Sequence, residues 1–286
     1  MGRYPDRLHA ATQFPRLYGR GAGGRAQVTL LTQSTVNPYP HIYLSPHLDD
    51  AVLSCGGRIW QQARAGERVL VVTVFAGTPP PSVPLSPFAQ ALHTCWEHPG
   101  DAVAGRREED RAALTLLGAD LAHWAYPDCI YRQSPDDGFF YPDWESLWGE
   151  IHPAEGRLIE ELATRLATLP LLRGGALYAP LGTGHHVDHQ IVHRTAAASG
   201  RALTCYEDFP YAAEQQSAPE EEGWREELVP LSEEALEARI AAIACYRSQI
   251  SSFWADAAEM AAAVRAFTNR TGSGRPAEWY WKSTRS

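Results

Sequence analysis

Residues 45–57 read Ser45-Pro46-His47-Leu48-Asp49-Asp50-Ala51-Val52-Leu53-Ser54-Cys55-Gly56-Gly57, directly after the apolar run Ile42-Tyr43-Leu44. The apolar run predicts a short buried strand, and Pro46 ends it. The apolar residues that follow Asp50 have helical spacing, and either Asp49 or Asp50 is placed to cap that helix. Because ligands bind at the carboxyl ends of parallel strands in α/β sheets, this strand-to-helix turn predicts a ligand site.

The same turn carries side chains that suit a metal ion. His47 and Asp50 are three residues apart, so a helical turn lets both reach one ion. Imidazole and carboxylate are the ligands that zinc uses in hydrolytic sites. Asp49 then points elsewhere and is free to act on a metal-bound water. The alternative is that these aspartates are ordinary turn and capping residues.

A second histidine cluster follows another apolar segment, Ala176 to Ala179. Four of the eleven histidines of the chain fall within residues 182–193, namely His185, His186, His189 and His193. A catalytic zinc site needs three protein ligands and an open position, and one of these histidines completes the set begun by the first turn. A neighbouring histidine beside Asp188 could carry a proton or stabilise an oxyanion, with the carboxylate fixing its tautomer and favouring the imidazolium.

Together the two motifs resemble those of the PIG-L or LmbE-like family of zinc-dependent de-N-acetylases. The first motif of that family is His-Pro-Asp-Asp and stands here as residues 47–50 with leucine in the second place, while the second, His-x-Asp-His, matches residues 186–189. The resemblance implies removal of acetyl groups from N-acetylglucosamine-type amino sugars. It also implies roles for six residues: metal ligands His47, Asp50 and His189, general base Asp49, electrostatic catalyst His186, and its hydrogen-bond partner Asp188.

Three further segments support the resemblance. Arg106 opens an Arg-x-x-Glu helix and stands in the place of a substrate contact. Asp128 ends a short strand and stands where the family binds sugar hydroxyls. The run Tyr246-Arg247-Ser248-Gln249 resembles a C-terminal family segment.

The predicted fold class is α/β, a Rossmann-like sandwich in which helices flank a mostly parallel sheet and the active site lies at the carboxyl ends of the strands. The resemblance implies one LmbE-like deacetylase domain over residues 1–286, with a loosely structured N-terminal segment, 1–25. Residues 78–105 and 130–156 are predicted to be long loops at the rim of the active site.

Both predicted loops are rich in aromatic residues that could line a substrate pocket. Aromatic rings beside carboxylates are typical of sugar recognition, because rings stack on the CH faces of sugars while hydroxyls form hydrogen bonds. The alternative is that these rings anchor the loops to the body of the protein. The candidates are Phe88, His93 and Trp96 in the first loop and Phe139, Phe140, Tyr141, Trp144 and Trp148 in the second.

Composition restricts the expected binding partners of the protein and its expected cellular compartment. The net charge of −9 argues against a nucleic-acid surface and favours a small neutral or cationic substrate. No stretch approaches the ~20 apolar residues of a membrane span, and no secretory signal is recognisable. The five widely spaced cysteines contain no CxxC pair and suggest reduced thiols in a cytoplasmic protein.

The predicted function is a metal-dependent hydrolase that removes the N-acetyl group from an amino sugar or its conjugate. Zn²⁺ is the expected cofactor, although such a ligand set also accepts Fe²⁺, Co²⁺ or Mn²⁺. One alternative is an amidase that uses the same site on a thiol, lipid or peptide conjugate. Another is a non-catalytic metal-binding or sugar-binding protein. The sequence leaves homo-oligomerisation open, and it contains no Gly-x-Ser-x-Gly elbow for a serine nucleophile.

Overall fold

The structure is a computed structural model that describes residues 37–79, 81–96, 101–214 and 223–284. The predicted N-terminal segment, 1–25, lies outside these residues. The single-domain span 1–286 therefore stays a prediction.

Strands and helices alternate through the first two thirds of the described chain. The strands are β1 Tyr39–Ser45, β2 Val69–Thr73, β3 Asp120–His123, β4 Gln133–Ser134, β5 Gly138–Phe139, β6 Leu171–Pro180, β7 Leu203–Tyr206, β8 Trp224–Pro230 and β9 Ala277–Ser283. The helices are α1 Asp50–Arg64, α2 Pro87–Cys95, α3 Ala102–Leu117, α4 Gly156–Ala167, α5 Val187–Ala197, α6 Glu233–Ile243, α7 Arg247–Phe253 and α8 Ala257–Thr271.

Seven of these strands form one mixed sheet in the order β3-β2-β1-β6-β7-β9-β8. The five strands from β3 to β7 pair in parallel, whereas β9 pairs antiparallel to both β7 and β8. All five residues of β2 are buried, because parallel strands at the centre of such a sheet are covered by helices on both faces. The predicted α/β class with a mostly parallel sheet is confirmed.

Chain order reverses at the centre of this sheet. From β1 the chain adds β2 and β3 on one side, and then β6 and β7 on the other. Neighbouring turns leave a crevice at such a switch point, outside the carboxyl ends of the two central strands. The turn after β1 carries residues 47–50, and the turn after β6 carries residues 182–189, so both motifs reach the same crevice.

The two segments predicted to be long loops contain regular structure. Residues 78–105 include the whole of α2 and the first turn of α3. Ser86 begins α2 by accepting a hydrogen bond from the Ala89 N–H at 3.0 Å, and Pro87 occupies the first helical position. Residues 130–156 include the β4–β5 hairpin and short 3₁₀ turns at Glu145–Trp148 and Pro153–Glu155.

Helix α1, which carries the first motif, is tightly packed on its inner side. A Cβ atom built on Gly56 would lie 3.0 Å from Arg239 Cγ of α6, and one on Gly57 would lie 2.7 Å from both Leu231 Cδ atoms. The Gly57 N–H donates to Glu278 Oε1 at 2.8 Å, and Arg239 Nη1 donates to the same oxygen at 3.1 Å. The two glycines thus allow a close approach to α6 and β9, which holds α1 in position.

The remaining composition-based expectations concern membranes and thiols. None of the helices in the described residues is both long and apolar enough to cross a lipid bilayer. All five cysteines are free thiols, and Cys55, Cys129 and Cys205 are buried.

Candidate active site

The turn after β1 places three acidic or imidazole side chains at the head of α1. Ser45 Oγ, and not an aspartate side chain, accepts the Ala51 N–H at 3.0 Å. Asp49 occupies the N-cap position without making a capping hydrogen bond, and Asp50 Oδ2 accepts the His47 N–H at 2.7 Å. The alternative that Asp49 and Asp50 are present as helix caps is therefore wrong, and the Asp49 carboxylate is left for another use.

The three predicted metal ligands meet around one carboxylate oxygen. Asp50 Oδ2 lies 3.2 Å from His47 Nδ1 and 3.4 Å from His189 Nε2. His189 is 1% exposed, and its Nε2 atom makes no hydrogen bond within the described residues. A buried nitrogen without a hydrogen-bond partner is costly unless something else binds it, and a cation bound by these three residues would do so.

Asp208 orients His189 from behind. His189 Nδ1 donates to Asp208 Oδ1 at 2.7 Å, while Asp208 Oδ2 accepts the N–H groups of Gly182 at 2.7 Å and Thr183 at 2.9 Å. A histidine that ligates a metal characteristically donates its other ring N–H to a carboxylate, which sets the tautomer. The Nε2 lone pair of His189 is thereby directed to the Asp50 side.

Asp188 plays the corresponding part for His47. His47 Nε2 lies 3.0 Å from Asp188 Oδ2, which also accepts the Cys129 N–H at 3.0 Å. Asp188 Oδ1 accepts from Arg132 Nη2 at 2.6 Å. The predicted hydrogen bond between this carboxylate and His186 is wrong. The Asp188 carboxylate instead forms its hydrogen bonds with His47, Cys129 and Arg132.

His186 is instead the N-cap residue of α5. Its Nδ1 accepts the Asp188 N–H at 3.3 Å, which leaves the ring proton on Nε2. Burial, together with the neighbouring imidazoles of His47 and His189, holds the pKa of His186 well below its usual value. The expectation of an imidazolium stabilised by Asp188 is therefore corrected to a neutral imidazole with one N–H to donate.

The charges around the two proposed ligand histidines favour a bound cation. Burial alone would lower the pKa of His189, but Asp50 and Asp208 outweigh it and raise that pKa to about 10. Burial also lowers the pKa of His47. The carboxylates of Asp128, Asp188 and Asp50 outweigh that effect, so the pKa of His47 lies well above its usual value. The same carboxylates that attract protons to the two imidazoles would also attract a divalent cation, which would compete with those protons.

Other combinations of potential ligand atoms also lie close together, and two of the three contain a side chain that fits a cation poorly. The groups His47-His186-His189, Cys129-His186-Asp188 and His47-Asp128-Asp188 each have ligand atoms within 4.8 Å of one another. The Asp188 carboxylate already pairs with the Arg132 guanidinium. Burial raises the pKa of the Cys129 thiol well above its usual value, and a protonated thiol is a poor metal ligand.

The predicted base and substrate contacts lie beside the same cluster. Asp49 Oδ2 is 3.9 Å from Arg106 Nη2, and burial, followed by the Asp50 carboxylate, raises the pKa of Asp49 to about 7. The Arg106 guanidinium lies over the Trp96 ring at 4.5 Å, and its buried Nε has no hydrogen-bond partner within the described residues. Asp128 Oδ1 accepts the Ile130 N–H, and its Oδ2 lies 3.8 Å from His47 Nε2.

A cavity of about 340 Å³ opens over these residues, a volume within the usual range for small-molecule sites. It is lined by His47, Asp49, Asp50, Leu92, Cys95, Trp96, Arg106, Asp128, Ile130, Trp144, Leu147, Trp148, His186, Tyr211, Gln249, Ser251, Ser252 and Phe253.

The aromatic candidates of the two rim segments divide into two groups. Trp96, Trp144 and Trp148 line the cavity. Phe140 stacks on His152 with ring centroids 4.3 Å apart, and the Tyr141 hydroxyl accepts the His152 N–H, so these two rings anchor the segment instead. Phe88, His93 and Phe139 do not line the cavity.

The sequence left the roles of two site residues unassigned. Asp208 lies in the run Glu207-Asp208-Phe209-Pro210-Tyr211, which follows β7 and resembles a family segment near the rim of the active site, but its contact with His189 was not predicted. Arg132 had no such signal, since its role depends on the packing of residues 130–156 against α5. Its guanidinium is buried between Asp188 and Glu155, with 2.7 Å between Arg132 Nε and Glu155 Oε1.

Comparisons with known proteins agree with this geometry. A relative from Niallia circulans, named 2'-N-acetylparomamine deacetylase, is 25% identical over 256 residues, which are 84% of this chain and 89% of the relative. The zinc-inhibited form of teicoplanin deacetylase Orf2 superposes with a TM-score of 0.76 at 29% identity, covering 86% of this chain and 98% of that one. The A40926 pseudoaglycone deacetylase Dbv21 has a TM-score of 0.69 at 30% identity, covering 86% and 97%.

The family comparison covers both motifs. The sequence model of PIG-L, described as GlcNAc-PI de-N-acetylase, matches residues 42–199. This range is more than half of the 286 residues and includes the turns after β1 and β6. The chain therefore belongs to the PIG-L family, whose members similar to it are deacetylases.

Proposed function

We propose that this protein is a metal-dependent hydrolase that removes the N-acetyl group from an N-acetylglucosamine-type amino sugar or its conjugate. One observation carries the proposal: His47 Nδ1 and His189 Nε2 converge on Asp50 Oδ2, and both His47 and Asp50 line the cavity. Proteins similar to this chain are named as deacetylases of 2'-N-acetylparomamine, of teicoplanin and of the A40926 pseudoaglycone, which supports the reaction class.

His47, Asp50 and His189 are the proposed ligands of one divalent ion. Two imidazoles and a carboxylate form the donor set of hydrolytic zinc sites, so Zn²⁺ is the proposed ion. When bound, the ion supplies a lowered pKa for a coordinated water and polarisation of the acetyl carbonyl. Asp188 and Asp208 hold the two imidazoles in their ligating tautomers.

Asp49 is the proposed general base. Its carboxylate lines the cavity, is not used to cap α1, and lies one residue from a proposed ligand. It takes a proton from the attacking water and returns a proton to the departing sugar nitrogen. Over the reaction the water oxygen bonds to the acetyl carbon, the carbon–nitrogen bond breaks, and acetate and a free amine are formed.

His186 is the proposed stabiliser of the oxyanion. Its Nδ1 is engaged with the backbone of Asp188, so the Nε2–H group is available to the oxygen that becomes negative. Arg106 and Asp128, which line the same cavity, are proposed to orient the sugar. The buried Arg106 Nε lacks a partner within the described residues and suits a substrate oxygen.

Acetate release tests the proposal. The protein is chelated, reloaded with one equivalent of Zn²⁺, Co²⁺ or Mn²⁺, and mixed with N-acetylglucosamine, diacetylchitobiose or inositol-linked N-acetylglucosamine. We expect acetate from at least one substrate with metal-loaded protein and none after chelation. Release that continues after chelation would exclude a metal-dependent reaction. Metal binding without release from any acetylated sugar would instead favour an amidase of other conjugates or a non-catalytic metal-binding or sugar-binding protein.

A further inference from the structure

We infer that two copies of this chain associate through the outer edge of β8, so that their β8 strands pair antiparallel and join the two sheets into one. This surface shares no residue with the cavity of the candidate active site, and the inference does not depend on the proposed function. It depends on three observations: β8 has an unpaired edge, its charges select one register of self-pairing, and a second cavity lies beside the apolar residues that this register brings together.

Strand β8 is the last strand of the seven-stranded sheet, and among the described residues only β9 pairs with it. The Gly223 carbonyl accepts the Thr284 N–H at 2.8 Å in the register of the β8–β9 pair, so the odd-numbered residues of β8 form the hydrogen bonds to β9. The backbone N–H and C=O groups of Trp224, Glu226 and Leu228 therefore point outward from the edge. Such an edge is a template for a further strand.

Pro230 limits how much of this edge another strand can use, because proline has no N–H group to donate. The usable outward groups are those of residues 224, 226 and 228. A second copy of β8 uses all of them when it runs antiparallel about a two-fold axis at Glu226. Trp224 then faces Leu228 of the second copy, and Glu226 faces Glu226. Each of these three facing pairs exchanges two backbone hydrogen bonds.

The charges on β8 favour this register over its neighbours. Arg225 lies directly opposite Glu227 of the second copy, twice in each dimer, and opposite charges in facing positions stabilise a sheet. A shift of two residues in one direction sets Arg225 against Arg225 of the second copy, and a shift in the other direction sets Glu227 against Glu227. Within its own sheet the exposed Arg225 lies opposite Lys282, so a carboxylate from a second copy would offset two neighbouring positive charges.

A second cavity lies on the face of the β8–β9 pair that carries the apolar side chains of β8. Its volume is about 200 Å³, and its lining includes Glu226, Leu228 and Trp279, the residue of β9 directly opposite Leu228. Leu228 is 45% exposed. The proposed register brings the indole ring of Trp224 from the second copy onto Leu228 beside this cavity. Cross-strand pairs of an aromatic and an aliphatic residue stabilise sheets, so the contact covers an otherwise exposed apolar surface.

Glu226 opposes this association, because the two-fold axis places its carboxylate beside that of the second copy. Charged residues on edge strands restrain such pairing in many proteins. With only five paired residues on each side the interface is small, so we expect a reversible dimer that becomes stronger when the charge of Glu226 is removed. That response is specific to the proposed register. In the two shifted registers Glu226 faces either Trp224 or Leu228 of the second copy.

Sedimentation velocity of the 286-residue chain at about 1 to 100 µM tests the association, and we expect a reversible dimer in this range. Arg225→Glu replaces two attractive pairs by two like-charged pairs and is expected to weaken the dimer by about tenfold or more. Glu226→Gln removes the central repulsion and is expected to strengthen it by up to about fivefold. The control Arg173→Glu reverses an exposed arginine of β6, and we expect the dissociation constant to change by less than about twofold at physiological salt.

Disulfide cross-linking tests the register. In Glu226→Cys the two new thiols belong to facing residues whose Cα atoms would be about 5.5 Å apart, a separation that a disulfide spans. In Leu228→Cys, on the same edge and the same face, the two Cα atoms would be about 13 Å apart, which a disulfide cannot bridge. After treatment with oxidised glutathione, we expect a covalent dimer on a non-reducing gel from Glu226→Cys alone. The unmodified protein gives the background from its five native thiols.

Three results would overturn the inference. If the unmodified protein and Glu226→Gln are both monomeric at about 100 µM, the edge of β8 does not pair. A dimer that Arg225→Glu weakens no more than Arg173→Glu does would have its contact elsewhere on the surface. Cross-linking of Leu228→Cys as readily as Glu226→Cys would exclude the two-fold axis at residue 226.

Discussion

His189 Nδ1 donates to Asp208 Oδ1 at 2.7 Å, across 19 residues of sequence that include most of α5 and all of β7. The second oxygen of Asp208 accepts two backbone N–H groups, from Gly182 and Thr183. The carboxylate thus connects the turn after β6 with the imidazole that the following helix presents.

Replacement of Asp208 tests this relationship. In Asp208→Asn one carboxylate oxygen becomes an NH₂ group, which cannot accept from His189 or from the backbone N–H groups. We expect affinity for Zn²⁺ to fall by roughly 10- to 100-fold, as for other residues that orient metal-bound histidines. Competition with a chromophoric chelator measures the affinity. Asp136→Asn at an exposed position is the control, and equal affinities in the two variants would contradict the role of Asp208.

Arg132 offers a test based on stability. Its guanidinium pairs with the buried carboxylates of Asp188 and Glu155. We expect Arg132→Met to lower the free energy of unfolding by roughly 3–5 kcal/mol, because two buried charges lose their partner. The control Arg265→Met removes exposed ion pairs with Glu233 and Glu237, for which about 0–1 kcal/mol each is expected. Urea unfolding of chelated protein gives both values, and a loss below about 1 kcal/mol at Arg132 would show that the buried network is not stabilising.

The proposed role of Asp49 as general base is tested by measuring metal binding and turnover separately. Asp49→Asn preserves the size of the side chain and leaves the proposed ligands intact. We expect one metal ion per chain as before and a fall in kcat of about 10²- to 10⁴-fold, since a general base is lost. Metal content and acetate release are measured on the same preparation. A variant with full turnover would remove Asp49 from the mechanism.

Glu207 gives a pH dependence of stability that is independent of turnover. Burial, followed by the nearby Asp208 carboxylate, raises the pKa of Glu207 to about 7, although Trp281 Nε1 and Thr183 Oγ1 donate to it. The folded state therefore holds this proton more tightly than the unfolded state, in which the pKa is about 4.5. Its contribution to stability is fully present below about pH 4.5 and is lost as the pH rises through about 7.

The variant Glu207→Gln removes that proton equilibrium. We expect its free energy of unfolding, relative to the unmodified protein, to be higher at pH 8 than at pH 5, with a change of at most about 1.4 kcal/mol per pH unit. Urea unfolding of both chelated proteins at the two pH values measures the difference, in which the other titrating groups cancel. A difference that is the same at both pH values would show that Glu207 ionises normally.

The local sequence contained much of the site. The apolar runs before Pro46 and at Ala176 to Ala179 predicted two strands, and the motifs directly after them were expected to meet at the carboxyl edge of a parallel sheet. That expectation is confirmed by the order of β1 and β6. A short motif was sufficient because the strand and the turn after it depend mainly on residues adjacent in the chain.

The hydrogen-bond partners of the carboxylates in the site could not be predicted from adjacent residues. His186 and Asp188 are two residues apart, which suggested a pair, yet the Asp188 carboxylate contacts His47, 141 residues away, and Arg132, 56 residues away. The N-terminal turn of α5 instead engages the His186 ring with the backbone.

The sequence by itself determined the strand-to-helix turns, the candidate ligands and the family, since each depends on neighbouring residues. The tertiary structure alone decided which carboxylate orients which imidazole and which aromatic residues line the cavity. The physical reason is range: a hydrogen bond requires two atoms to lie within about 3 Å, and for distant residues only packing of the sheet, helices and rim segments determines that separation.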